Sequence, residues 1–330
     1  MLNEPIRFER IFLEKVWGGR ALERTPGITL PPGIPVGETW ELVDRAHENS
    51  VVGTGPYQGR TLRSMMEEFS RDLLGRAPAT PAGRFPVLIK YIDATASLSV
   101  QVHPSDETAA RLGRGAEGKT EAWFVLDAAP GACLYAGVRP DVSRADLERA
   151  ADGEGVVELL NRWEVSSGDC MLIPGGTVHA IGAGVTLLEV QQNSDTTYRM
   201  YDWGRLGLDG KPRETHLEQA LAVASVGEPV RPPVRAVWAE VAPGLSRAPL
   251  VRTRTFSANG LRVRERARLA TGRQFQVYAV VEGSGTLTMS GSGTSHRLEL
   301  GDCWLVPASA GYHFIEPREE LGLIQFLTYA

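Results

Sequence analysis

Gln101 and His103 stand two residues apart in the run Leu98-Ser-Val-Gln-Val-His. In an extended strand that spacing sends both side chains off one face. Glu121 opens the next apolar run, Glu121-Ala-Trp-Phe-Val-Leu, and His179 closes Gly168-Asp-Cys-Met-Leu-Ile-Pro-Gly-Gly-Thr-Val-His. Neighbouring strands of one antiparallel barrel would bring these residues together. Two imidazoles, one carboxylate and one amide oxygen suit a divalent cation, zinc first, and leave room for water or a substrate oxygen. Taken singly, each histidine reads more simply as a satisfied polar residue. His47, His216 and His296 lie in polar loop or helix segments with no partner at ligand spacing, and read as surface residues.

Four more charged residues lie near this set in sequence. Lys119 precedes Glu121 by two positions, so on an extended chain its ammonium shares the metal-facing side; the plainer reading is a solvated lysine. Arg199 sits in the polar stretch Asn193-Ser-Asp-Thr-Thr-Tyr-Arg, where it could also be a structural partner of Asp195 or Asp202. Lys90 closes Phe85-Pro-Val-Leu-Ile-Lys like a rim residue, and Glu189 interrupts Leu187-Leu-Glu-Val, pointing inward or outward by strand alternation.

The elements that must position these groups are mostly strands. Among 330 residues, 36 glycines and 21 prolines punctuate short runs rich in β-branched and aromatic residues. Helical signals are few: an apolar face over Thr61–Leu74, a capping box at Ser143–Asp146 with a second helix expected over Glu154–Arg162, and a capping box at Thr215–Glu218 opening a helix that Gly227 ends. The motif Gly168-Asp-Cys-Met-Leu-Ile-Pro returns as Gly301-Asp-Cys-Trp-Leu-Val-Pro, leading to His179 and His313 in turn. A unit used twice argues for two copies of one β module. The expected architecture is mainly β: two jelly-roll barrels of the cupin type with a few inserted or flanking helices. The expected division is a metal-binding module over 1–228, a proline-rich linker over 229–250, and a second module over 251–330. That second module has Gln276 where Glu121 stands and no Gln-x-His before it, so it reads as a degenerate copy.

A formal charge of −5 and a pI near 5.8 argue against a nucleic-acid partner. Cys133, Cys170 and Cys303 are few, odd in number and far apart, which suits a reducing cytosol rather than a disulfide framework. The N-terminal residues do not read as a secretory signal, and no apolar run reaches the ~18 residues of a membrane span.

The stretches Val16-Trp-Gly-Gly, Leu98-Ser-Val-Gln-Val-His-Pro-Ser-Asp-Glu, Gly118-Lys-Thr-Glu-Ala-Trp, Pro174-Gly-Gly-Thr-Val-His and Glu189-Val-Gln-Gln-Asn-Ser-Asp-Thr-Thr-Tyr-Arg resemble, in order, type I mannose-6-phosphate isomerases, in particular the short bacterial form. The resemblance spans roughly residues 5 to 225. It implies one zinc ion per chain on His103, Glu121 and His179, with Gln101 as fourth ligand or near neighbour. It also implies a catalytic Arg199, a substrate pocket lined by Lys119 and Lys90, and a phosphate contact from Ser99. The implied reaction interconverts mannose 6-phosphate and fructose 6-phosphate through an enediol. Lys119, Glu189 and a water on the metal all stand as candidates for the base, and Arg199, Lys90 and Ser99 for the phosphate. A cupin oxygenase, or a sugar-phosphate-binding regulator without turnover, are the alternatives. Oligomeric state is not legible.

Overall fold

The computed structural model describes residues 2–113 and 115–328. Its strands form three antiparallel sheets of nine, seven and five strands. The seven-stranded sheet runs, edge to edge, through Val234–Arg235, Asp169–Ile173, Glu121–Ala128, Val185–Gln192, Val87–Ala94, Val36–Leu42 and Ile11–Gly19. The five-stranded sheet runs Tyr198–Tyr201, Val100–Val102, His179–Ile181, Cys133–Val138, Leu160–Glu164. Apolar side chains of both, among them Ile92, Trp123, Leu134 and Ile181, share one buried cluster, so the two sheets close face to face as the first barrel.

The other face of the seven-stranded sheet is not left to water. Ile89, Tyr91 and Phe124 pack with Phe256, Phe275 and Phe326 of the C-terminal part in a single core. Phe85 and Phe275 meet at 4.6 Å between ring centroids. A sheet covered on both sides reads as a continuous apolar run, and all eight residues of Val87–Ala94 are buried. This corrects the reading of Lys90: it lies in mid-strand, not at the end.

The nine-stranded sheet builds the second barrel around the paired strands Gln276–Met289 and Tyr312–Leu327. The N-terminal strand Ile6–Arg7 joins it, with Ile6 opposite Leu305. The repeated Gly-Asp turn is built alike in both copies: Asp169 accepts the Ser166 amide at 2.8 Å, and Asp302 accepts that of Glu299 at 3.0 Å. The proline-rich stretch read as a linker carries strands of its own. Val234–Arg235 pairs with Asp169–Ile173, and Ala239–Ala242 pairs with Leu245–Arg252 in the C-terminal sheet. Its prolines break the pairing into short pieces without abolishing it.

Helices flank the barrels. Leu62–Leu74 is capped by Thr61 and buries Leu62, Met65, Met66, Leu73 and Leu74. Arg144–Ala150 opens with the expected capping box of Ser143 and Asp146. The helix expected over Glu154–Arg162 stops after Gly155–Glu158, because Leu160–Glu164 is taken up as an edge strand beside Cys133–Val138. The last α-helix, Leu217–Val223, begins without a side-chain cap; the His216 amide bonds instead to the Arg199 carbonyl at 2.7 Å. The helix Asp106–Leu112, capped by Ser105, was not anticipated.

Candidate active site

Strand register explains how scattered residues converge. In the five-stranded sheet Arg199 lies opposite Gln101, and Gln101 opposite His179, so the three share a face. In the facing sheet Lys90 lies opposite Glu189 and Glu189 opposite Trp123, two residues from Glu121 along the strand. Both rows point into the barrel and line a cavity of about 240 Å³. His103 follows the Val100–Val102 strand and is buried behind it. The paired glycines before His179 let its loop close over that strand end. A Cβ on Gly175 would come within 2.6 Å of the Pro104 carbonyl oxygen, and the Gly176 amide donates to the His103 carbonyl at 2.7 Å.

The donors of His103, Glu121 and His179 lie within 4.8 Å of one another, and all three residues are buried. His103 Nε2 is 3.4 Å from one Glu121 oxygen and His179 Nε2 is 3.3 Å from the other. The opposite ring nitrogens face carbonyls, Thr196 at 2.9 Å and Thr177 at 2.8 Å. A carbonyl only accepts, so each Nδ1 carries the ring proton and each Nε2 offers a lone pair to the centre. Burial, with Lys119 beside it, holds His103 down at about 3, and burial also lowers His179, so both rings are neutral at ordinary pH. Burial opposes the charge on Glu121, but the Lys119 ammonium holds its carboxyl well below the usual range. Its Oε2 is ion-paired with the Lys119 ammonium at 2.8 Å. A buried anionic carboxylate facing two imidazole lone pairs is a fit for a cation.

Lys119 is buried in this cluster rather than solvated, with Nζ 2.8 Å from Glu121 and 3.0 Å from His103 Nε2. The Gln101 amide lies beside His179 at 3.4 Å, while its oxygen accepts from Ser99 Oγ at 3.2 Å. Arg199 Nε donates to Ser99 at 3.4 Å, and its Nη1 donates to the Glu214 carbonyl at 2.6 Å. Neither carboxylate proposed as its structural partner takes it: Asp195 pairs with Arg45, and Asp202 with Arg205 and Arg213. Glu189 points inward, its Oε2 accepting from Trp123 Nε1 at 3.2 Å and its Oε1 3.2 Å from Lys90. Burial, reinforced by the Glu121 charge, raises the Glu189 carboxyl to about 7. Burial opposes the charge on Lys90, but Glu189 and Glu38 keep its ammonium above the usual lysine range.

Sequence reasoning passed over Glu38, Trp40, Lys15 and Arg213, all of which line the cavity. Glu38 accepts from Trp40 Nε1 at 2.7 Å and lies 3.6 Å from Lys90 and 3.5 Å from Lys15. Against the pull of burial, Lys90 and Lys15 hold its carboxyl at about 2. The alternation in Gly37-Glu-Thr-Trp was the available signal, but only sheet order shows that this strand neighbours Lys90. His216 is also more than a surface residue: its Nδ1 accepts the Arg199 amide at 3.3 Å. His296 pairs with Glu4 at 3.1 Å and packs on Trp304.

A closed jelly-roll barrel with a buried His–Glu–His centre and a cavity of mixed charge defines a cupin-fold protein with a candidate metal site. The profile described as phosphomannose isomerase type I, catalytic domain, matches residues 6–121. Mannose-6-phosphate isomerase ManA of Bacillus subtilis (strain 168) is 37% identical over 97% of this chain and 98% of that protein. The mannose-6-phosphate isomerase of Streptococcus mutans is 33% identical over 93% of each chain. The crystal structure of the mannose 6-phosphate isomerase from Bacillus subtilis superposes with a TM-score of 0.86 at 33% identity, covering 98% of this chain and 99% of that one. The chain belongs to the type I mannose-6-phosphate isomerase family.

Proposed function

We propose that this protein is a zinc-dependent aldose–ketose isomerase that interconverts mannose 6-phosphate and fructose 6-phosphate. The isomerase activity follows from the family; the cation and the role of each side chain are our reading of the site. One observation carries it: two neutral imidazole nitrogens, each fixed by a carbonyl behind it, converge on a buried, ionised carboxylate. His103, Glu121 and His179 would hold one zinc ion. Gln101 joins them by turning its amide over, since its nitrogen now faces His179. The bound cation supplies Lewis-acid polarisation of the substrate carbonyl and of the oxyanion charge that develops on it.

The chain's own residues do the rest. Glu189 carries the proton between C2 and C1. With its carboxyl near 7, ionised and protonated forms are both within reach at neutral pH, which is what a group that takes and returns a proton requires. Trp123 orients its Oε2, and Lys90 holds the charge when it ionises. Lys119, beside the metal ligands, serves the hydroxyl proton that must move between the O1 and O2 oxygens. Arg199 stabilises negative charge from the opposite sheet, staying charged at working pH. Lys90, Ser99 and Arg199 supply ammonium, hydroxyl and guanidinium donors for the phosphate.

The test is turnover of mannose 6-phosphate in a coupled assay before and after chelation, with zinc added back. Activity lost on chelation and restored by zinc is the expected result. Full activity in demonstrably metal-free protein would refute the metal reading.

A further inference from the structure

We propose that Arg45 is a positioning residue for the metal centre, clamping together the two loops that aim Lys119 and His103; this rests on the metal-dependent isomerase reading above. Arg45 follows the strand Val36–Leu42, and its side chain is only 11% exposed. One guanidinium reaches three places. Nη1 donates to the Asn193 carbonyl at 2.7 Å and pairs with the Glu117 carboxylate, while Nη2 lies 2.8 Å from Asp195 Oδ1. Glu117 stands two residues before Lys119. Asp195 stands one residue before Thr196, whose carbonyl fixes the His103 ring at 2.9 Å. The loops are also laced to each other: the Glu117 amide donates to Thr196 Oγ1, and Ser194 Oγ to the Glu117 carbonyl, both at 3.1 Å.

The clamp itself has a firm base. Asn193 Nδ2 donates to the Asp44 carbonyl at 2.8 Å, and the Asp44 carboxylate accepts the Phe85 amide at 2.8 Å. Without Arg45, the two loops would lose the fork that ties Glu117 to Asp195, and the carbonyl behind His103 would lose its fixed direction. The rigid guanidinium fork is suited to bridging two carboxylates and a carbonyl at once, whereas a lysine is a point charge on a flexible stem. Outer-sphere partners of metal-bound histidines typically account for about 10–100-fold in metal affinity.

The experiment uses the full-length, zinc-loaded enzyme and follows zinc transfer to a competing chelator, alongside the melting temperature of the metal-free protein. Arg45→Met should weaken zinc by about 10–100-fold, with kcat recovering to within about threefold when zinc is saturating. Arg45→Lys should restore the metal-free melting temperature without restoring zinc affinity. The double variant Glu117→Gln/Asp195→Asn, which neutralises both carboxylate arms and leaves Arg45 on the Asn193 carbonyl, should weaken zinc in the same direction and covers the case in which Arg45→Met does not fold. Wild-type zinc affinity in Arg45→Met or in the double variant overturns the clamp alone. Affinity restored by lysine in step with melting temperature also overturns it, since that is general stabilisation. Wild-type protein that takes up no zinc overturns the metal reading itself.

Discussion

In the first barrel Trp123 lies across the ladder from Glu189, and Glu189 from Lys90; in the second, Tyr278 lies across from Gln325, and Gln325 from Asn259. The repeat sets Glu121 against Gln276 and His179 against His313. The strand Ala267–Ala270 then stands where Val100–Val102 does, with Leu269 opposite His313 as Gln101 is opposite His179. Leu269 thus occupies the place of Gln101, and Thr271 that of His103. Glu121, Glu189 and Lys90 of the first centre thus have the neutral counterparts Gln276, Gln325 and Asn259 in the second. The counterparts satisfy one another: Gln325 Nε2 donates to the Gln276 oxygen at 3.1 Å, Asn259 Nδ2 to the Gln325 oxygen at 3.3 Å, and Tyr278 to the Gln276 oxygen. With the tyrosine proton committed there, His313 Nε2, 2.9 Å from that hydroxyl, meets a lone pair and carries its own ring proton inward. His179 turns the same ring nitrogen to its barrel, but with its lone pair, the ring proton being on the side of the Thr177 carbonyl. Barrel geometry alone therefore does not make a metal centre. What sets the candidate metal site apart is carboxylates that need a counter-charge.

The comparison breaks most sharply if the first barrel survives being made like the second. Glu121→Gln installs the residue that stands at Gln276. Metal affinity should fall by more than about 100-fold, beyond the loss of an outer-sphere partner, and turnover should fall with it. Metal content after dialysis against a chelator checks this, and a variant that keeps one ion per chain would show that the carboxylate is not what distinguishes the barrels. Glu189→Gln installs the counterpart of Gln325 and sharpens the comparison on the chemical step. The rate should drop by about 10²–10⁴ as for loss of an acid–base group, with the metal retained. The pH profile carries the sign. Glu189 accepts a proton only when ionised, so with its carboxyl raised to about 7 the wild-type rate falls as pH drops through that value. In Glu189→Gln that acid limb should vanish; its persistence would move the base to Lys119.

Much of this pattern is legible in the sequence, for identifiable reasons. Gln101 and His103 are two apart, and Lys119 and Glu121 likewise, so the period of a strand places each pair on one side whatever the fold. The repeat Gly168–Pro174 and Gly301–Pro307 marks two like modules. Lys90 was harder, because burial of both faces of its sheet removes the alternation that separates an inward lysine from a strand end. Glu38 lies far upstream of the candidate ligands, and only sheet order makes it a neighbour of Lys90; Lys15, beside the Val16-Trp-Gly-Gly stretch, reaches the site through Glu38. The Thr196 carbonyl behind His103 is backbone and leaves no mark in side-chain pattern. Arg45 is the same case at one remove, since it acts through loops whose meeting the sequence does not announce.

The smallest expected effect comes from the second barrel and tests whether its cluster serves stability alone. His313 is fully buried, and burial lowers it to about 4. His313→Ala leaves the Tyr278 hydroxyl without that partner, so equilibrium unfolding should report a loss of about 1–3 kcal/mol, with kcat within about twofold and metal content unchanged. The pH dependence separates this from a generic cavity. A histidine at about 4 in the folded protein and near its ordinary ~6.5 when unfolded takes up more protons on unfolding, so its contribution to stability is present above ~6.5 and is lost as pH falls toward 4. The gap in stability between wild type and His313→Ala should therefore narrow over that interval. A constant gap would mean that the ring serves by volume alone. A change in kcat would mean that the second barrel reaches the first across the shared Phe85–Phe275 core.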